Sequence, residues 1–339
     1  MKKWLSSFLV VLMGIFLLAG CSDSKEVSKD KSSTKELKVM KVGYMPNYAS
    51  LNSVVAAIKT GGFKEQGLKV ELVEFADGPT IIAAMESGSI DVGYIGPGAH
   101  VLPMKGKASI FAFSQLGNAD EVIGNTKKGV KEIKDLKGKT IAYASGTSSE
   151  TILNLTLAEA GLTPKDVKLV NMDASAIVTA MISGSVDAAA TWSPNTFAIK
   201  KELGDNAKML SNNVRYADQF PSIASWVVAP GYAEKNAKLL LKFTKGLYKG
   251  MDYRGDHGEE VAKWVAKQIA VDEKTVLDQT GDGEWASSKD LVEMINSGKL
   301  EELYKKQQEN FIKDGKLTES EALPVDQYVL FDNMLKAAE

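Results

Sequence analysis

Residues 77–91 read DGPTIIAAMESGSID and residues 173–187 read DASAIVTAMISGSVD. At an offset of 96 the two stretches share 8 of 15 positions, and two more are Ile/Val exchanges. That period is too long for a solenoid, whose units repeat every 20–50 residues. It predicts one supersecondary unit used twice, once in each of two lobes. The leading Asp77 and Asp173 suit an N-cap, where a carboxylate accepts from free helix N–H groups. Ile81, Ala84 and Met85, like Ile177, Ala180 and Met181, repeat at i, i+3 and i+4 and mark one apolar helix face. Gly88 and Gly184 are placed to end the helices in a left-handed turn. A short apolar strand follows each copy and breaks at proline, in Gly96-Pro97-Gly98 and in Trp192-Ser193-Pro194.

The segments before each copy also correspond. Residues 39–44, 68–75, 140–143 and 167–171 read as strands, and 51–60 and 148–160 as helices. Strands alternating with helices predict parallel sheets covered on both faces. Residues 108–115 are expected to carry the chain from lobe one to lobe two. Residues 209–214 through 225–228 are expected to carry it back. Beyond Pro230 the pattern is helical, over 233–253, 259–269, 273–279, 287–297 and 299–313, and these helices are expected to pack on lobe one. The predicted division is 37–117 plus 222–339 for lobe 1 and 118–221 for lobe 2.

The N-terminus places the chain outside the cytoplasm. Lys2 and Lys3 precede an uncharged run over residues 8–20, the pattern of a secretory signal peptide and too short to span a bilayer. Leu18-Ala19-Gly20-Cys21 resembles the bacterial lipobox, which implies cleavage before Cys21 and lipid on its sulfur. Residues 1–20 are then the signal peptide and 21–36 a lipid-anchored tether, rich in Ser, Lys, Asp and Glu and without aromatic residues. Its 15 residues after Cys21 have an r.m.s. reach of ~20–25 Å. The protein is expected on the outer face of the cell membrane, touching it only through this lipid. Cys21 is the sole cysteine, so an acylated chain has no thiol for disulfides or metal. Losing Lys2 and Lys3 takes the formal net charge from −2 to −4, which leaves no electrostatic footprint for nucleic acid. His100 and His257 lack a second ligand at metal spacing, no phosphate-binding glycine loop is present, and no nucleophile–base pair stands out. The expectation is a monomer without cofactor, metal or catalytic residues.

The stretch from Val42 to about Glu202 resembles the substrate-binding proteins of ABC importers for sulfonates, taurine and nitrate. The residues that carry the resemblance are Val42-Gly43-Tyr44-Met45-Pro46, Gly62-Phe63, Gly67-Leu68, Asp77-Gly78-Pro79, residues 87–93, residues 135–139, residues 144–148, Ala160-Gly161-Leu162 and residues 184–188 leading to Trp192-Ser193-Pro194. The resemblance implies an α/β, two-lobed periplasmic-binding-protein fold of type II, each lobe a mostly parallel sheet flanked by helices, with two hinge crossings. It implies a small anionic solute, most simply an aliphatic sulfonate, and permease subunits driven by a cytoplasmic ATPase. The lipobox fits, since Gram-positive members are usually lipoproteins. Relatives of this fold also bind thiamine-precursor pyrimidines, and a planar heterocycle is the alternative ligand. A pyrimidine synthase shares the fold but carries a cysteine-rich motif absent here.

In open α/β sheets ligands sit beyond the carboxyl ends of strands. That rule selects Asn47, Tyr48, Asp77, Gly78, Thr80, Gly96 and Pro97 in lobe one. In lobe two it selects Gly146, Thr147, Ser148, Trp192, Ser193 and Asn195. Residues 145–148 are the expected anion cradle, with glycine, hydroxyls and a helix N-terminus; Thr147-Ser148-Ser149-Glu150 also spells a capping box. Tyr48, Trp192 and Met172 are expected to wall the ligand's tail. Family members often carry an aspartate after this tryptophan. Ser193 stands there instead, which counts against an amino group on the ligand.

Overall fold

The computed structural model describes residues 36–339. The signal peptide, the Cys21 lipidation site and the tether read from sequence lie in residues 1–35, outside the described part. None of the described helices is long and apolar enough to cross a membrane.

Eleven strands form two sheets. They are β1 (Lys38–Tyr44), β2 (Leu68–Glu74), β3 (Val92–Ile95), β4 (Ser109–Gly117), β5 (Asp120–Asn125), β6 (Thr140–Tyr143), β7 (Lys168–Asn171), β8 (Ala188–Trp192), β9 (Ala207–Asn212), β10 (Ile223–Val228) and β11 (Gly283–Trp285). One sheet has the order β11-β4-β10-β3-β1-β2 and the other β7-β6-β8-β5-β9. The principal helices are α1 (Tyr48–Thr60), α2 (Gly78–Glu86), α3 (Ser148–Glu159), α4 (Ala174–Ser183), α5 (Asn195–Leu203), α6 (Tyr232–Asp256), α7 (Gly258–Gln268), α8 (Ser288–Asn296), α9 (Lys299–Lys313) and α10 (Phe331–Ala338).

The repeat is one structural unit used twice. α2 and α4 follow Asp77 and Asp173, and Ile81, Met85, Ile177 and Met181 are buried. The Asp77 carboxylate accepts from Thr80 N at 2.9 Å, whereas Asp173 receives no such bond. The closing aspartates share a role that the pattern alone did not indicate. Asp91 accepts from Lys41 N at 2.8 Å, and Asp187 accepts from Thr140 N at 2.9 Å. Each therefore ties its strand to the neighbouring β1 or β6.

The sheets are mixed rather than mostly parallel. β2, β1 and β3 are parallel, as are β7, β6 and β8. β10 runs antiparallel to β3 and β4, and β5 antiparallel to β8 and β9. The cause is the crossing itself. Only Asn118 and Ala119 separate β4 from β5, and a parallel connection needs a dozen or more residues. A strand that leaves one sheet straight into the next must enter with its direction already set. β5 and β11 escaped the sequence reading, β5 because it has polar ends and follows the crossing directly, β11 because it is a three-residue edge strand.

A large apolar core under the six-stranded sheet takes in the C-terminal helices through Phe243, Leu247, Val265, Leu300 and Tyr304. The five-stranded sheet has a smaller core on each face, around Leu153 on one and Met181 on the other.

Candidate functional site

A cleft lies between the two sheets. Its walls are mostly the residues that follow strand ends, because backbone there is free of the ladder and helix N-termini converge. Met45 and Asn47 follow β1, Asp77 to Pro79 follow β2, and Gly96 and Pro97 follow β3. From the other sheet come Thr147 and Ser148 after β6, and Trp192 and Ser193 at the end of β8. The floor is formed by the crossings: Gln115 and Gly117 on β4, Asp120 on β5, and Ser222 and Ala224 at β10. Gln279 and Asp282, from the loop before β11, complete it. Asn47 holds its place by capping α1, its Oδ1 accepting from Ser50 N at 3.0 Å.

Nine of the residues selected from sequence line this cleft: Asn47, Asp77, Gly78, Gly96, Pro97, Thr147, Ser148, Trp192 and Ser193. Four do not. Tyr48 turns inward and is 1% exposed, packed edge-on against Trp285 with ring centroids 5.3 Å apart. Burial pushes its hydroxyl up to about 12. Thr80 uses both its N–H and its hydroxyl to close the cap on Asp77. Gly146 supplies a left-handed turn, φ 74°, and its N–H donates to Glu150 Oε2 at 2.8 Å. Asn195 lines an adjoining recess with Asp173 and Phe75, its amide donating to Thr191 Oγ1 at 3.2 Å. Met172, the third residue expected in the tail wall, packs instead beneath the five-stranded sheet. His100 is buried behind the Gly96 turn, bonded to Gly96 O and Ser225 Oγ, and burial lowers it to about 4.

The two lobes touch directly beside the cleft. A Cβ built on Gly98 would lie 2.0 Å from Thr147 C and 2.4 Å from Ser148 N. Lys316 Nζ reaches Glu150 Oε2 at 3.3 Å from the C-terminal side. At the floor, Asn213 Nδ2 donates to Gly117 O at 2.7 Å, Ser222 Oγ at 2.9 Å and Asp120 Oδ2 at 3.2 Å. One side chain thus bridges the outgoing and the returning crossing.

The sequence profile of the family described as NMT1/THI5 like matches residues 49–261. The chain belongs to that family. "Putative binding protein BAB2_1146" of Brucella abortus is 31% identical over 291 residues, covering 86% of this chain and 90% of that one. "Putative aliphatic sulfonates-binding protein" of Bacillus subtilis is 27% identical over 286 residues, 81% of each chain. Among solved structures, the alkanesulfonate-binding protein SsuA from Xanthomonas axonopodis pv. citri, bound to MOPS, superposes with a TM-score of 0.68. The identity is 20%, over 87% of this chain and 98% of that one. The two-lobed α/β periplasmic-binding-protein fold is therefore the fold of this NMT1/THI5-like protein.

The electrostatics of its cleft depart from those of an anion site. Among the described residues that line it are Asp77, Asp120 and Asp282, and no lysine, arginine or histidine. Burial raises Asp120 to about 6, with the Ser148 and Ser222 hydroxyls pulling the other way. Burial also raises Asp282 to about 6; Ser193 and Lys200 lower it, while Glu121 and Asp120 raise it. The hydroxyls assigned to an anion, and Gly146 N beside them, are engaged within the protein. Ser148 Oγ donates to Asp120 Oδ1 at 2.5 Å, Thr147 Oγ1 to Ala144 O at 2.7 Å, and Gly146 N to Glu150. The capping box read at residues 147–150 does not close: Thr147 Oγ1 accepts from Ser149 N at 3.2 Å, and Glu150 reaches past the cap to Gly146 N.

Sequence reasoning missed Asp120 and Asp282. Each lies next to a strand that was also missed, and nothing local distinguishes either from a surface aspartate. Asp282 reaches this wall from the opposite lobe, where Ser193 Oγ lies beside it without reaching hydrogen-bond geometry.

Proposed function

We propose that this protein is the extracytoplasmic solute receptor of an ABC importer. On this reading it encloses a small organic solute between its lobes and hands it to a permease coupled to a cytoplasmic ATPase. The observation that carries the reading is the cleft with walls from both sheets and a floor made of the two crossings. Rotation about the crossings would open and close it as a hinge. Family membership and relatives named as binding proteins support a receptor without catalytic residues. Cys21 is its lipid anchor on the outer membrane face, and the receptor acts as a monomer.

Two ligand classes compete. Names of relatives support an aliphatic sulfonate. The cleft supports the planar heterocycle, because its loop hydroxyls are engaged and its walls carry carboxylates without a balancing cation. Trp192, Tyr94 and Pro97 offer flat apolar surface to a ring.

A thermal-shift panel of alkanesulfonates, taurine, nitrate and aminopyrimidines tests the proposal. A ligand at 100 times its Kd stabilises the fold by ~2.7 kcal/mol, several degrees in melting temperature. Stabilisation by an aminopyrimidine supports the reading. Stabilisation by sulfonates alone overturns its ligand class, and indifference to every solute overturns the receptor. Cys21→Ser should release the protein into the medium; continued membrane retention would refute the lipid anchor.

A further inference from the structure

Three acceptors, Gln115, Asp120 and Asp282, line the cleft with no cationic side chain among the described residues of its wall. Gln115 on β4 is 2% exposed; its Nε2 donates to Tyr94 Oη, and its Oε1 has no partner. The half-buried Asp282 carboxylate opens onto the cleft with only Ser193 Oγ beside it, while its own backbone N–H donates to Gln279 O. Asp120 accepts from Ser148, Asn213 and Ser222, so it supplies charge more than a free lone pair. A buried acceptor left unpaired costs free energy, and a buried unpaired charge costs more. A site evolved for an anion would not assemble these groups around the space its ligand fills.

We infer that the cleft holds a cationic, N–H-bearing group of its ligand, an ammonium or amidinium, gripped between Asp282 from the six-stranded lobe and Asp120 at the root of the five-stranded one, with Gln115 Oε1 as the third acceptor. The inference rests on the receptor reading above and names the chemistry of its ligand. The surrounding charges agree in sign. Glu121 faces the pair, and the one nearby cation, Lys200, is held on Glu121 at 2.6 Å. Burial holds the proton on Tyr94, and the charge of Asp120 acts in the same direction. An amidinium donates in several directions at once and so can reach Asp282 and Gln115 together. Its flat body fits against Trp192. Because Asp282 and Asp120 come from different lobes, the cation also links ligand capture to closure.

The test is calorimetric titration of the intact receptor with benzamidine, taurine and ethanesulfonate. Benzamidine stays protonated throughout the range used. At pH 7.5 the inference expects benzamidine to bind and ethanesulfonate not to. Benzamidine should bind about tenfold more weakly at pH 5, where a carboxylate titrating near 6 is mostly protonated. Asp282→Asn should weaken it at least thirtyfold while leaving the melting temperature of the free protein unchanged or higher. Gln115→Leu should weaken it several-fold. Cation affinity within twofold of wild type in Asp282→Asn, or no pH dependence in the unmutated protein, overturns the inference. Tight ethanesulfonate binding that Asp282→Asn strengthens overturns it while leaving the receptor reading intact. Taurine binding that Asp282→Asn abolishes supports it. Failure of all three probes to bind or to compact the protein in X-ray scattering overturns both.

Discussion

Replacing Gly98 by alanine should hold the two lobes apart. Gly98 lies in the turn Pro97–His100 with ordinary backbone geometry, so the added methyl meets no conformational penalty of its own. What it meets is the other lobe. Its Cβ would stand 2.0 Å from Thr147 C, 2.3 Å from Thr147 O and 2.4 Å from Ser148 N. All three are backbone atoms at the start of α3, so no rotamer change relieves the contact. Restoring ordinary contact at about 3.5 Å requires the lobes to part by roughly 1–1.5 Å. Overpacking a rigid interior costs about 1–3 kcal/mol, and a backbone-on-backbone clash belongs at the top of that range. At ~3 kcal/mol the closed form is disfavoured by about 100-fold. A ligand that binds only the closed form loses the same factor in apparent affinity. The free protein escapes by opening, so its stability should change by less than about 1 kcal/mol. Titration calorimetry with whichever solute stabilises the wild type measures the affinity loss. Scattering with and without that solute measures the missing compaction. Wild-type affinity together with normal compaction in Gly98→Ala would show that the Gly98–Thr147 contact is no part of the liganded state.

Three further perturbations follow from the geometry. Gly146→Ala places a side chain at φ 74° with only Pro79 Cγ near its Cβ, at 3.4 Å, so the cost is backbone strain of about 1–2 kcal/mol, readable by urea unfolding. Free Asp120 is raised to about 6 by burial, against about 4 in an unfolded chain. The native state therefore binds the extra proton between these values, and stability should rise as pH falls from 7 toward 4.5, with Asp120 contributing at most about 3 kcal/mol; Asp120→Asn should reduce that slope and leave the part due to Asp282. Lys316→Ala removes a partly exposed pair with Glu150 and should cost less than about 1 kcal/mol, with any effect seen on closure rather than on unfolding.

What could be read from the sequence was local and periodic. The repeat gave up α2 and α4 because Ile81, Met85, Ile177 and Met181 recur at helical spacing and are followed by Gly88 and Gly184. The loops after β1, β3, β6 and β8 were legible because each strand is a short apolar run broken by Pro, Gly or Ser. Direction was not legible: Tyr48 occupies the expected loop, yet its ring packs on Trp285, more than two hundred residues away. Donor availability was not legible either. Ser148 looked free for a ligand until β5, whose polar ends hide its apolar centre, brought Asp120 against it. Asp282 required the C-terminal segment to return to the edge of β4 through β11, a pairing of three residues that carries no periodicity.

The topology explains why the charge of the cleft and its hinge are one structure, and that coupling can be tested. In the six-stranded sheet β10 stands beside β3 and antiparallel to it; in the five-stranded sheet β5 stands beside β8 in the same way. Each lobe thus receives that strand from the chain as it arrives from the other lobe. The first residue of β5 is Asp120, and the residue before β10 is Ser222, so both crossings open onto the same carboxylate. Asn213 closes the arrangement by donating to Gly117 O, Ser222 Oγ and Asp120 Oδ2. Asn213→Ala should leave these buried acceptors short of a donor and cost about 2–3 kcal/mol in chemical denaturation. Asn213→Asp keeps the volume but sets a second carboxylate against Asp120 and should be worse at pH 7.5 than at pH 5. If Asn213→Ala unfolds like wild type, the crossings are held by their strands alone, and Asp120 does not tie the hinge to the cleft.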